Sequence, residues 1–107
     1  IFGFQNHLWN GITTNAYAKI VFGLVTSKIK VDNITHIIPK DIVTKYSLLK
    51  IFQKKFGRND LIIKKINAKN KINRTLSSNF KNTNEKIWKY ANYKNVPTIR
   101  ELIDEIE

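Results

Sequence analysis

The chain has no cysteine and no methionine, only two prolines and only four glycines. Without cysteine there is no disulfide framework and no thiolate metal site. The two histidines, His7 and His36, lie far apart without supporting acids, which makes a weak metal set. The glycines at 3, 11, 23 and 57 form neither a G-x-G-x-x-G fingerprint nor a Walker loop, and there is no G-x-S-x-G elbow. No stretch approaches about eighteen consecutive apolar residues, so no transmembrane helix is expected. Ile1 to Phe4 is too short, and lacks the basic leader, to act as a secretory signal.

Acidic residues are also scarce. Eight face nineteen basic ones, for a formal charge of +11. Four of the eight (Glu101, Asp104, Glu105 and Glu107) fall in the last seven residues, so an acidic end closes a basic body. A balance of this kind raises nucleic acid as a partner. The lysines, however, are dispersed with no block of five or six, and the joint dominance of Asn, Ile and Lys is what an AT-rich coding sequence produces without any selection for binding.

What is present suffices for one small domain with a modest core: 107 residues, 42% hydrophobic. The chain begins with Ile rather than Met and reads as processed or as part of something longer. The stretch from Asp32 to Gly57 carries the clearest grammar. The apolar run Ile34 to Ile38, with His36 in its middle, predicts a buried strand that Pro39 ends. Lys40 to Val43 follows as a loop, and Thr44 can cap the next helix. Leu48, Leu49, Phe52 and Phe56 share a helical face, and Gly57 suits the left-handed position past the helix end.

On either side the same reasoning continues. Ile1 to Phe4 reads as a strand end, Gln5 to Gly11 as a polar loop, and Thr13 or Thr14 as a cap. Asn15 to Lys28 has Tyr17, Ile20, Val21, Leu24 and Val25 at helical spacing. Gly23 inside that helix costs about 1 kcal/mol relative to Ala, so close packing is expected to require it. Leu61 to Ile63, then Ile66, predicts another strand, and Asn67 to Asn73 a polar loop. Ile87, Trp88 and Tyr90 mark a helical turn within an Asn-rich stretch. Thr98 and Glu101 spell a capping box, ahead of Ile99, Leu102, Ile103 and Ile106 on one apolar face. The predicted order is β, α, β, α, β, irregular, α: an α/β segment of short parallel strands alternating with helices, with a sheet too small to close its own edges.

Four places could carry chemistry. His7 sits beside Trp9 and Asn10 in a polar loop that could contact a ligand. Asp41 follows a strand, at the carboxyl end where α/β proteins place function. Arg74 is one of only three arginines among sixteen lysines, so a planar fork for phosphate or carboxylate is one use for it and a surface charge the other. Trp9 and Trp88 could stack on a base or sugar, although core packing is the commoner use.

Several segments, taken in order, resemble the C-terminal part of extended short-chain dehydrogenase/reductases acting on nucleotide sugars, the NAD-dependent epimerase/dehydratase and dTDP-4-dehydrorhamnose reductase-like proteins. They are Trp9 to Ile20 (WNGITTNAYAKI), Ile34 to Phe56 (ITHIIPKDIVTKYSLLKIFQKKF), Asn73 to Ser78 (NRTLSS) and Pro97 to Ile106 (PTIRELIDEI). The resemblance implies a Rossmann-type fold of which residues 1–107 are a single segment, the substrate-binding lobe of a larger NAD(P)-dependent enzyme. It implies a cytoplasmic nucleotide-sugar reductase or epimerase making sugars for surface polysaccharide such as capsule or O-antigen. NAD or NADP would be held by the rest of the polypeptide and none by this segment alone. The family's Gly-rich loop is absent, and Tyr90 with Lys94 matches its Tyr-x-x-x-Lys pair only by accident of spacing, far downstream of where the family carries it. No catalytic and no metal-binding residue is therefore expected here.

By the same likeness, Trp9 and Asn10 would face the substrate and Arg74 would sit near its diphosphate or sugar. The implied partners are a nucleotide sugar and the rest of the chain's own polypeptide. A homodimer is left open, and neither nucleic acid nor a membrane is expected. The alternative is a free-standing basic nucleic-acid-binding or RNA-cleaving domain using His7, His36 and Arg74.

Overall fold

The computed structural model describes residues 1–28, 35–77 and 81–106. Among the described residues, nine elements run in the order β1 (Phe2–Phe4), β2 (His7–Trp9), α1 (Thr14–Ser27), β3 (Val43–Thr44), α2 (Lys45–Lys55), β4 (Lys64–Ile66), β5 (Ile72–Arg74), α3 (Lys81–Tyr90) and α4 (Ile99–Asp104). The fold is mixed α/β. Its strands form one parallel pair, β1 with β4, and one mixed sheet in which β2 lies between antiparallel β3 and parallel β5. The expected alternation of single strands and helices is thus replaced by doubled strands, β1–β2 running beside β4–β5.

Five of the expected strand and loop assignments change. The run Ile34 to Ile38 is not a strand: Ile34 lies outside the described residues, and 35–39 has no regular structure. The strand read at Leu61 to Ile63 falls instead at Lys64–Ile66, and the loops at Gln5 to Gly11 and Asn67 to Asn73 contain β2 and the start of β5. The loop read at Lys40 to Val43 gives up Val43 to β3.

The physical reason is that asparagine side chains complete these ladders. An asparagine side chain carries the same donor–acceptor pair as a peptide unit. Asn6 donates to the Ala68 carbonyl at 2.8 Å and accepts from the Ala68 amide at 2.9 Å. Asn10 does the same with Leu76, both at 2.8 Å. Asn84 ties Ile38 in the same way, at 3.1 and 3.0 Å, and the Trp88 indole N–H donates to the same Ile38 carbonyl at 2.8 Å. Backbone groups that a sheet would have satisfied are satisfied by side chains from another element. Apolar patterning therefore does not mark these strands.

The helices follow the sequence more closely. Thr13, Thr44 and Thr98 each sit in extended backbone and accept a hydrogen bond from the amide three residues on, and Glu101 completes the capping box. Lys28 and Gly57 take left-handed conformations just past α1 and α2. Gly23 is required by packing: a β-carbon there would lie 2.3 Å from the Tyr90 carbonyl oxygen, so α1 and α3 touch backbone to side-chain-free backbone.

Two apolar clusters share one short helix. Ala16, Ile20, Ile87, Trp88, Ala91 and Leu102 join α1, α3 and α4, while Ile51, Ile99 and Ile103 join α2 to α4 with Trp9, Val43, Leu48 and Phe52 against them. α4 presents Leu102 to the first cluster and Ile99 and Ile103 to the second. On α2 the buried residue is Ile51, not Phe56, which is exposed. The body is flat and long, 46 × 31 × 18 Å, with a radius of gyration of 15.5 Å. A compact chain of this length has about 13 Å. No helix of the described residues is long and apolar enough to cross a membrane.

Candidate functional site

The parallel pairing of β2 with β5 brings the three residues of interest to one end. Trp9 and Arg74 are register partners at the last positions of these strands, and Asn10 follows immediately. Register partners project to the same face of a sheet. This is also the carboxyl end of two parallel strands, the position at which open α/β sheets hold ligands.

The three side chains are not equally free. Asn10 is buried, at 3% exposure, and both its amide atoms are committed to Leu76. Its work is to fix the segment after β5 against the segment after β2. The half-buried Trp9 packs on the α2–α4 cluster, and its indole lies over Gly11, where a β-carbon would fall 2.2 Å from the ring. The ring also helps line a small cavity of about 230 Å³ with Gly11, Phe52 and Ile106. Arg74 is exposed and makes no hydrogen bond or ion pair with another described residue. By contrast, Arg58 spends its fork on Asp60, both contacts at 3.0 Å; that hydrogen bond holds the Asp60 carboxyl below its ordinary value. Of these two forks, Arg74 is the one left for a ligand.

A cleft of about 1140 Å³ opens where the strands end. It is lined by Asn10, Leu76 and Ser77 on one side and by the loop around Pro39 to Ile42, α3 and the Tyr93 to Pro97 segment on the other. Ligand pockets usually measure about 300–1,000 Å³, so this one is roomy enough for a molecule of several rings. Its lysines, among them Lys81 and Lys94, are matched in number by carboxylates, four against four. The cleft is therefore not a simple anion funnel.

Asp41, read as a candidate at a strand end, has another task. Its carboxylate accepts from the Ile99 amide at 2.9 Å and so helps Thr98 cap α4. The Lys40 amide donates to the Pro97 carbonyl beside it. His7 lies against Phe4 with ring centroids 4.4 Å apart and the ring planes tilted by 34°, and its Nε2 is buried without a partner among the described residues. His36 is exposed, and its Nδ1 lies 3.1 Å from the Ser77 carbonyl, to which it donates. Trp88 is fully buried and not open to stacking. Among the described residues no group of three His, Cys, Asp or Glu could hold a metal ion.

One functional-looking group has no signature in the sequence. The Tyr93 hydroxyl donates to Glu105 at 2.8 Å, and Lys19 reaches the same carboxylate oxygen at 3.1 Å. Burial, and then the hydrogen bond to the charged Glu105, pushes the Tyr93 hydroxyl above its ordinary value of 10.0. The unfolded chain releases that proton near pH 10, while the fold keeps it. Tyr93 therefore leaves stability intact below about pH 10 and makes it fall as pH rises above. Urea denaturation from about pH 8 to pH 11 should show this loss in the natural chain and a smaller one in Tyr93→Phe; equal slopes in the two would remove Tyr93 as the cause.

No protein family, no curated protein and no solved structure matches this chain.

Proposed function

We propose that this chain is the substrate-binding part of a nucleotide-sugar reductase or epimerase serving surface-polysaccharide synthesis, the residues 1–107 forming one lobe of a larger enzyme of the extended short-chain dehydrogenase/reductase kind. The observation that carries the reading is the pairing of Trp9 with the unengaged Arg74 at the carboxyl ends of β2 and β5, next in the chain to Asn10, which lines a cleft of about 1140 Å³. A planar guanidinium binds two phosphate oxygens at once, which a lysine does not. An indole edge beside it offers apolar area to a base or sugar. Asn10 holds the two segments in place and lines the cleft.

In this reading Arg74 binds the diphosphate, Trp9 borders the ring it carries, and the Leu76 and Ser77 segment forms the wall. The nicotinamide, when bound by the rest of the enzyme, supplies or accepts the hydride. The chain itself offers no Gly-rich loop for it, and no proton-transfer role is assigned to its residues.

Calorimetric titration of the chain with dTDP-glucose and UDP-glucose tests the reading. Arg74→Ala should weaken binding by about tenfold or more, the loss expected when a charge-assisted hydrogen bond disappears. Equal affinity in the variant would remove Arg74 from the site. Absence of binding for both sugars in the natural chain would overturn the substrate class.

A further inference from the structure

We propose that α1 is a self-association surface, on which a second copy of this chain docks as an antiparallel helix pair. The inference is independent of the nucleotide-sugar reading. It starts from a helix whose outward side is largely apolar, its exposed Asn15, Lys19 and Thr26 falling on one narrow stripe. Ala16, Ile20 and Gly23 face inward, with Leu24 partly buried. On the outward side Tyr17, Val21 and Val25 form one ridge at i, i+4, i+8, and Ala18 with Phe22 forms the next. Tyr17 is 58%, Phe22 70% and Val25 70% exposed. A surface helix ordinarily turns charged and polar residues outward, so an outward apolar ridge is a surface that a partner can cover.

Charge says what kind of surface this is. In a chain of formal charge +11, the fourteen residues of α1 include one charged side chain, Lys19. Lys19 is paired to Glu105 at 3.1 Å, and the Thr26 hydroxyl is turned back onto the Phe22 carbonyl at 2.8 Å. The outward face is thus a neutral strip on a strongly basic body. Two such bodies repel wherever lysines meet, and this strip lets them approach without bringing like charges together. Antiparallel packing also sets the two helix dipoles head to tail.

Area supports a second copy at modest strength. With Tyr90, 42% exposed on the neighbouring α3, the patch comprises five large side chains. Together they expose on the order of 500 Å² of apolar surface, at the upper end of what a monomer shows. Doubling across a twofold axis gives about 1,000 Å², the size at which specific but weak, reversible association begins. The i±4 ridges would interdigitate, with Ala18 supplying the groove for Phe22 or Val25 of the other copy.

Sedimentation equilibrium over a range of concentrations tests this. The natural chain should rise with concentration from 12.5 kDa toward twice that mass. Phe22→Glu and Val25→Lys should each hold the mass at one chain throughout. Both positions are exposed, so unchanged far-ultraviolet circular dichroism should accompany the loss. Ile62→Glu, at an exposed residue outside the patch, should associate like the natural chain. A natural chain that stays at one-chain mass at every concentration overturns the proposal. So does a dimer that survives both α1 variants.

Discussion

Trp88→Ala should lower the stability of this chain by about 3–5 kcal/mol, the range for emptying a large buried aromatic site. Trp88 is 0% exposed, the largest fully buried side chain of the molecule. It sits in the α1–α3–α4 cluster with Tyr93 edge-on at 5.1 Å. Its removal also takes one of two side-chain donors from the Ile38 carbonyl, leaving that of Asn84. For a domain of this size, 4 kcal/mol is roughly a 20 °C fall in melting temperature, and it is a large share of a typical total stability of about 5–15 kcal/mol. Thermal unfolding followed by circular dichroism would show it. Trp88→Phe separates the two contributions, since it keeps most of the ring and loses the N–H. A fall below about 1 kcal/mol for Trp88→Ala would mean that the cluster is not the core described here.

Gly23→Ala should also destabilise, by about 2 kcal/mol, and here the sign is the test. Helix propensity alone predicts that alanine in mid-helix gains about 1 kcal/mol over glycine. The geometry predicts the opposite. The new methyl would stand 2.3 Å from the Tyr90 carbonyl oxygen and 2.7 Å from its carbon, both main-chain atoms that no rotamer change can move. α1 would have to lift away from the end of α3. A gain in stability on urea denaturation would show that the two helices are farther apart than their packing implies.

Gly23 also shows what was legible in the sequence. A glycine that costs helix stability points to a close approach, and that signal is local. So are the caps: Thr13, Thr44 and Thr98 each lie three residues from the amide they satisfy; Thr44 and Thr98 are where a reading of the sequence puts them, and Thr13 is one of its two candidates for the first helix. The same locality makes Gly57 readable. The apolar face of the last helix was readable too, since Ile99, Leu102 and Ile103 are all buried.

The strands were not legible, because what defines them is distant. Ile34 to Ile38 has the composition of a strand, yet Asn84, far along the chain, takes the hydrogen bonds of Ile38. The polar segments holding β2 and β5 become strands only because they meet each other and because Asn6 and Asn10 extend the pairing past their ends. On α1 the spacing of Val21 and Val25 suggests a core face. The close contact at Gly23 turns the helix so that both are exposed. Of the site residues, Arg74 was singled out by its rarity and by the family resemblance, and its neighbour Trp9 by residue type and the same resemblance. Their meeting is a fact of parallel register, which no short window contains. Asn10 was expected as a ligand contact; it lines the cleft, and its amide is bonded to Leu76, a partner that lies sixty-six residues away and that no local pattern announces.

The three asparagine clasps carry a consequence for chemical ageing. Each depends on a nitrogen that donates and an oxygen that accepts, and aspartate, the same size, offers two acceptors. Loss of ammonia from Asn10 would set a carboxylate oxygen against the Leu76 carbonyl in a site that is 3% exposed. Asn10 precedes Gly11, the neighbour least able to hinder that reaction. The clasp and the Trp9 ring over Gly11 hold this dipeptide still. The bonds that join the two strand ends thus also shield the weakest amide of the pair, and the chain's working lifetime in solution follows how often that clasp opens.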